Sequence, residues 1–376
     1  MGRLFARIAD FIRETDKLLL ILCTFAASYG CIAVFSATRH DNSLRATVVQ
    51  SGLMLAGIVA ALVISAFDYS NLVKYWYLSA PVGLVLVILT FFIGFAPGET
   101  DDKAWLDLGF TTFQPSELLK ICFILSFSAH LSAVKAKINK PLQLLLVVLH
   151  GFLPVLLIHF QGDDGTALVF AVMVVCMLWA AGVSWKYFLG AFSTLAVMAP
   201  VAYFLIMNDE QRARIINMFD INADLQGVGY QQNQGRIALA HGGWTGQGYL
   251  NGELTSKGIV PEGHNDFIFV SIGEELGFLG CLAVVILLAA ICLRALHVAR
   301  LCRKDSGKFI CVGFFSMLFA QIVINIGMCL SVLPVIGVTL PFFSAGGTSL
   351  FCLFLGVGLV LSVYKHRNSR TIYLHD

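Results

Sequence analysis

The chain has 376 residues, 58% of them hydrophobic and only 13% charged, with a mean hydropathy of +0.81 and a formal net charge of +2. A soluble domain carries roughly 25% charged residues to cover its surface, so this composition excludes a water-soluble globular protein. The near-zero balance supplies no strongly basic field for nucleic acid and makes the placement of charge along the chain the informative quantity.

The first segment, Arg3–Lys17, mixes charges with Leu4, Phe5, Ile8, Phe11 and Ile12, a pattern that suits a short amphipathic helix at the membrane surface. The apolar run from Leu18 is long enough to span and lacks a small-residue cleavage site, so no cleaved signal is expected. A span needs about 20 apolar residues. Candidates in order are Leu18–Ser36, Val48–Phe67, Tyr75–Phe95, Leu118–Val134, Leu144–Phe160 and Thr166–Val183, then Tyr187–Met207, Phe267–Leu293, Phe309–Leu330 and Leu350–Tyr364. Leu144–Phe160 is short and its end is indistinct. Leu333–Gly347 is too rich in Pro and Gly for a regular helix and reads as a re-entrant or surface loop, tolerable only if buried in protein or facing water.

With the N-terminus inside, about 17 of the 25 Lys and Arg fall in inside segments, about seven outside, and Lys120 within a span. The expected fold is therefore an all-α polytopic membrane protein of about ten helices with both termini cytoplasmic. It forms one membrane domain over 1–376, with an interfacial segment 1–17, outside loops 98–116 and 208–265, and a cytoplasmic tail 365–376. The ten cysteines, Cys23, Cys122, Cys176, Cys281 and Cys329 among them, lie scattered in apolar stretches without a CxxC pair. They read as small core residues, with no disulfide or zinc.

The outside loops hold most of the chemistry-bearing residues. The first carries Glu99, Asp101, Asp102, Lys103, Trp105 and Asp107; the second, Asn208–Asn265, is too long for a simple connector, and long unstructured loops in compact proteins are usually functional. Its densest polar run is Pro261-Glu262-Gly263-His264-Asn265-Asp266, where the chain enters the eighth span. A partly desolvated carboxylate at Asp266 has a raised pKa and can serve as a base near neutral pH. It can equally cap the helix that follows, and spacing leaves the two roles even. Glu274 and Glu275 fall inside the eighth span, where carboxylates pair or face water. Glu117 and Lys120, at i,i+3, read either as a structural ion pair or as a site for an anionic headgroup, the latter only if the Lys120 head reaches the outer interface.

Gly227–Gly248 matches neither a P-loop nor a dinucleotide fingerprint; its glycines permit close backbone approach to a ligand, or are plain turn residues. Arg212, Arg214, Arg236 and Lys257 give the loop a positive component that can hold phosphates, although each alone reads as an ordinary solvated charge. His241 and His264 lack a metal-ligand partner, and no compact metal cage is visible; a divalent cation, Mg or Mn, would lean on substrate phosphates.

Five ordered segments resemble motifs of the SEDS family (shape, elongation, division and sporulation), in its RodA-like branch: AWLDLGFTTFQPSELLK (Ala104–Lys120), QGDDGTALV (Gln161–Val169), GVGYQQNQGRIALAHGGWTGQG (Gly227–Gly248), VPEGHNDFIFVSIGEELGFLG (Val260–Gly280) and NIGMCLSVLPVIGVTLPFFSAGGTSL (Asn325–Leu350). The NIGM wording favours the elongation branch over the division branch. The resemblance implies a glycosyltransferase that polymerises lipid II on the outer face of the bacterial cytoplasmic membrane. It places the catalytic acid/base on Asp266. It associates Trp105, Glu117 and Lys120 with activity, matches Glu275 to the GEEL position and Asp163 to the acidic position of QPDLG, and implies a class B penicillin-binding protein bound through its membrane helix. Arg212, Arg236, Lys257 and His264 are the further candidates for substrate binding, and Glu262 and Glu274 for structural roles. The chain departs from the family pattern at Ala104, Gly162, Asp164, Asn265 and Ala345.

Two other functions stay open on the sequence. Ionisable Lys120, Glu274 and Glu275 within spans are what a transporter of lipid-linked precursors would carry, but a transporter is expected to show two related halves and no internal repeat is visible. A scaffold that activates a partner transpeptidase without turnover of its own is compatible with the same motifs.

Overall fold

A computed structural model of the chain describes residues 14–39, 44–96, 103–109, 111–205, 207–220, 227 and 229–368. Most of the expected amphipathic segment Arg3–Lys17, the acidic stretch at Glu99–Asp102 and the end of the tail lie outside these residues.

Ten helices are long and apolar enough to cross a membrane among the described residues. In order they are α1 (Lys17–Ala37), α2 (Arg45–Ala66), α4 (Trp76–Ile93), α5 (Pro115–Val134), α6 (Pro141–Phe160), α7 (Asp164–Ala181), α8 (Trp185–Leu205), α12 (Ile268–Leu301), α13 (Asp305–Cys329) and α14 (Gly347–Lys365); a short α3 (Tyr69–Lys74) precedes α4. An even number of crossings puts the two ends of the bundle on one side, and the Lys and Arg bias makes that side the cytoplasmic one. Every expected span is present, with ends shifted by a few residues. Leu144–Phe160 is no exception: Pro141 at the first turn extends it to a full 20 residues.

The ends follow local rules. Asp16 caps α1 by accepting from the Leu19 amide at 3.2 Å, Asp163 caps α7, and Gly182 closes α7 in the left-handed region at φ 87°. Helices α5, α13 and α14 form the buried centre. Small residues let α14 approach α2: a Cβ on Gly358 would stand 2.8 Å from the Ala61 Cα. Helix α8 lies at the other extreme, with no buried residue.

The outer loop departs from expectation. Instead of an unstructured excursion, Asn208–Asn265 folds into α9 (Asp209–Phe219), α10 (Tyr230–Gly242) and α11 (Glu253–Ser256). Asn208 and Gln211 build a reciprocal capping box for α9. Polar composition hid these helices, and α10 packs against α12. The other outer loop contains a two-stranded antiparallel hairpin, β1 (Leu106–Asp107) and β2 (Thr112–Phe113), in register Leu106 to Phe113.

Helix α12 has 34 residues, a length of about 51 Å at 1.5 Å per residue, against roughly 30 Å of hydrocarbon. It breaks at Gly277, whose φ of 66° is not helical. Glu274 and Glu275 lie in this long helix, as expected, just before the break.

Candidate active site

The site lies on the outer face, where four segments meet: Val260–Phe267, the turn at Gln161–Asp163, the hairpin loop leading into α5, and the segment Leu330–Gly346 between α13 and α14. That last segment is irregular and buried in protein, with Val338, Leu340, Phe342, Phe343 and Ser344 inside.

Glu262–Asp266 forms a tight turn. Asn265 and Phe267 both donate their amides to the Glu262 carbonyl at 3.0 Å, and Glu262 sits in the left-handed region at φ 51°. Its carboxylate accepts from Asn265 Nδ2 at 2.6 Å. Such strain persists only where the surroundings hold it. Three side-chain contacts do so: Asn325 Nδ2 donates to the Asp266 carbonyl at 2.8 Å, Cys329 Sγ donates to the same carbonyl at 3.5 Å, and Ser344 Oγ donates to the Asn265 carbonyl at 2.8 Å. The Ala345 amide adds a bond to the His264 carbonyl at 2.8 Å.

The Asp266 side chain is thus held by its own backbone. The cap of α12 is Phe267, and no side chain caps that helix, so the capping role does not apply. The carboxyl is half-buried and accepts no hydrogen bond among the described residues. It faces Gly337, where a Cβ would stand 3.6 Å from Oδ2. Burial, followed by the Glu262 and Asp163 charges, raises its pKa to about 7. A carboxylate that is exposed enough to be reached, unpaired and poised near neutrality has the properties of a general base.

Asp163 lies beside it. Its Oδ1 accepts the Thr166 amide and its Oδ2 accepts Gln114 Nε2, both at 2.8 Å, tying the QGDDG turn to the hairpin loop. Burial raises this carboxyl despite the Thr166 bonds. Gln161 Nε2 bonds Thr90 Oγ1 in the same layer. Trp105 is half-buried and fixed by backbone bonds with Phe95 at 3.0 and 3.3 Å. Ala104 is 2% exposed, so the wall closes over the position where the family pattern has arginine.

Other candidates take different places. Lys120 Nζ meets Glu117 Oε1 at 2.8 Å with both side chains at most 5% exposed. The pair is buried, and the exposed ammonium that an anionic headgroup would need is not there. Arg212 directs its guanidinium to the Tyr203 and Phe204 carbonyls and to Asp209, closing the end of α8. Lys257 pairs with Glu253 at 2.7 Å on the surface. Arg236 is exposed, with no acidic partner among the described residues. Arg214 Nη1 donates to the Val335 carbonyl at 3.0 Å, docking α9 on the segment Leu330–Gly346.

Glu274 and Glu275 are structural. Glu274 accepts from the Leu254 and Thr255 amides at 2.8 Å and from Thr255 Oγ1 at 2.6 Å, and Glu275 accepts from Ser36 Oγ at 2.5 Å. The glycine-rich stretch serves the same junction. The Gln247 and Gly248 amides take the Glu274 and Glu275 carbonyls at 3.0 and 2.9 Å, and the Phe278 and Leu279 amides take the Gly243 and Trp244 carbonyls at 2.9 and 3.2 Å. Four backbone bonds to the loop thus replace helix bonds at the break in α12, as irregular backbone near the membrane needs. A Cβ on Gly246 would stand 2.1 Å from the Glu275 carbonyl oxygen. Close backbone approach is indeed what these glycines permit, toward the chain's own helix.

The Cell cycle protein family (FTSW_RODA_SPOVE) matches residues 16–369. The chain belongs to this family. Relatives of FTSW_RODA_SPOVE type include the Escherichia coli K12 peptidoglycan glycosyltransferase MrdB, 31% identical over 364 residues covering 95% of each chain. The probable peptidoglycan glycosyltransferase FtsW of Thiomicrospira cyclica is 35% identical over 370 residues, covering 94% of this chain and 92% of the relative. Among solved structures, a chain from a peptidoglycan synthase complex that coordinates polymerization and crosslinking superposes with a TM-score of 0.83 at 28% identity, covering 95% of this chain and 99% of that one. The Thermus thermophilus rod shape determining protein RodA gives a TM-score of 0.69 at 25% identity, covering 95% and 98%.

Sequence reasoning passed over Asn325, Gly337 and Ser344 as functional positions, although all three stand in quoted motifs. One signal was available for Asn325: a buried amide in an otherwise apolar span needs a partner, and its partners are the backbone on both sides of the site. Among the described residues no group of three or more His, Cys, Asp or Glu is placed to hold a metal ion.

Proposed function

We propose that this protein is a peptidoglycan glycosyltransferase that polymerises lipid II into glycan strands on the outer face of the bacterial cytoplasmic membrane, for elongation and cell shape. The observation that carries the reading is the unpaired, half-buried Asp266 carboxyl in a braced turn at the mouth of a family-matched membrane domain.

Asp266 removes the proton from the 4-hydroxyl of the acceptor N-acetylglucosamine. That oxygen forms a bond to the anomeric carbon of the lipid-linked N-acetylmuramic acid as the bond to undecaprenyl pyrophosphate breaks. General-base assistance contributes about 10²–10⁴-fold; the remainder falls to positioning and to charge at the leaving group. Arg236 is the exposed guanidinium available for that charge. Lys120 is not, being committed to Glu117. A divalent cation, Mg or Mn, would be carried by the substrate's pyrophosphate, since no cage for it is placed among the described residues.

A class B penicillin-binding protein is the proposed partner, supported by the likeness to a chain of a peptidoglycan synthase complex. The transporter reading loses its footing: Lys120, Glu274 and Glu275 are all paired within the fold. The deciding assay is polymerisation of labelled lipid II by the purified chain, alone and with its transpeptidase, for wild type and Asp266→Ala. Strands from wild type and none from the variant support the proposal; strands from both remove Asp266 from the mechanism; strands from neither, with both proteins folded, return the scaffold reading.

A further inference from the structure

The end of α8 sets the level of the helix that follows it. Helix α8 has 21 residues and none of them is buried, so its whole length is open to hydrocarbon. At 1.5 Å per residue it measures about 31 Å, the thickness of one bilayer core of roughly 30 Å. Its exposed last residues, Phe204 and Leu205, therefore mark the outer boundary of that core. Only residues 206–208 separate them from α9. Arg212, in the first turn of α9, donates Nε to the Tyr203 carbonyl at 2.9 Å and Nη2 to the Phe204 carbonyl at 3.2 Å. These carbonyls have no partner within their own helix. A helix tied to them starts at the depth where the span ends.

Two further bonds decide which way α9 faces. Gln211 Nε2 donates to Asp164 Oδ2 at 3.0 Å, and Arg214 Nη1 donates to the Val335 carbonyl at 3.0 Å. Gln211, Arg214 and the buried Asn217 recur every three residues, so one side of the helix is seated on the protein. The opposite side carries Ile216 and Phe219, also three apart, at 46% and 80% exposure. Asp209 and Asp220 stand exposed at its two ends. Apolar side chains on one face, polar groups on the rest and a start at the hydrocarbon boundary are the pattern of a helix that lies in the plane of the membrane. Covering each of the two large side chains with hydrocarbon is worth about 1.5–3 kcal/mol.

We infer that α9 is a membrane-surface helix, with Ile216 and Phe219 seated among the acyl chains of the outer leaflet. Bilayer lipid is the occupant of this face because the face continues the lipid-exposed surface of Phe204 and Leu205. The assignment moves α9 from an outside loop into the membrane surface and does not depend on the reaction given to Asp266.

The test uses the purified full-length chain in vesicles of phosphatidylethanolamine and phosphatidylglycerol. A benzoyl-phenylalanine photo-crosslinker replaces Phe219 or, as the control, the half-buried Met218 on the protein-facing side. Illumination followed by mass spectrometry should find phospholipid adducts at position 219 and only adducts within the chain at 218. Hydrogen exchange gives a second measure. Phe219→Gln should speed exchange of the α9 amides in vesicles about tenfold or more, the loss of one lipid-covered phenylalanine, while Phe219→Leu stays near wild type. Gln and Leu are comparable helix formers, so the difference between them reports lipid contact and not helix propensity. No lipid adduct at 219, or equal exchange in the two variants, would place α9 in water and overturn the inference. Adducts from 219 to a protein chain in place of lipid would make the face a protein interface and overturn it as well. The crosslinker keeps the ring of phenylalanine, so the adduct measurement decides the matter even where Phe219→Gln fails to fold.

Discussion

Asn325 Nδ2 donates to two backbone carbonyls at once, that of Asp266 at 2.8 Å and that of Val338 at 2.7 Å. One side chain near the C-terminal end of α13 thereby fixes the Asp266 turn against the segment Leu330–Gly346, and with it the distance from the Asp266 carboxyl to Gly337. Asn325→Leu leaves two buried carbonyls without this donor, at about 1–3 kcal/mol each, and frees the turn to shift. A displacement of about 1 Å costs about 10²-fold in rate. Polymerisation kinetics should show kcat reduced by about tenfold to 10²-fold with KM little changed; an unchanged kcat would mean that the turn holds itself.

Asp266→Asn should lower polymerisation by about 10²–10⁴-fold, the share of a general base. Because the base form does the work, wild-type activity should rise with pH through about 7 and fall away below it. A flat profile from pH 5.5 to 8 would contradict the assignment.

The same shift has a sign for stability. The folded-state value of about 7 lies above the ordinary 3.8, so the folded protein binds this proton more tightly than the unfolded chain does. The contribution is favourable at low pH, declines as pH rises from the ordinary value toward about 7, and levels off above. Asp266→Asn carries no charge, so at pH 8 its thermal midpoint in detergent should exceed that of wild type, with the gap narrowing as pH falls below about 7 and closing near 3.8.

The Glu117–Lys120 pair is buried at 2.8 Å. Removing one partner leaves an uncompensated charge, worth about 3–5 kcal/mol of destabilisation. Lys120→Met should therefore denature far below wild type, and Glu117→Gln/Lys120→Met should recover most of the loss. If the double variant is as unstable as the single one, the pair is not what holds this layer together.

Gly277→Ala meets two obstacles. The residue sits at φ 66°, where a side chain costs about 1–2 kcal/mol, and its Cβ would stand 2.4 Å from the Gly246 amide nitrogen. The variant should lose the register between α12 and the 243–248 loop, seen as protease cleavage in that loop at concentrations wild type withstands. Resistance equal to wild type would show that the junction tolerates a Cβ.

The sequence by itself determined the number of crossings and their order, because bilayer thickness sets a length that any apolar run either meets or fails. It also located Asp266, since a carboxylate at the edge of a span is costly wherever the rest of the fold lies. The tertiary structure alone decided what that carboxylate and its neighbours touch. Asn325 and Asp266 are 59 residues apart, Ser36 and Glu275 239. Nothing local to either member of such a pair marks its partner. Glu274 and Glu275 read only as charges needing partners until the fold brought the 254–255 amides and Ser36 against them. Asp266 stood evenly between cap and base until Phe267 took the cap position and left the carboxyl unpaired. In each case the residue type supplied a capacity, to ionise or to donate, and packing across the chain selected the one use that satisfied the surrounding backbone.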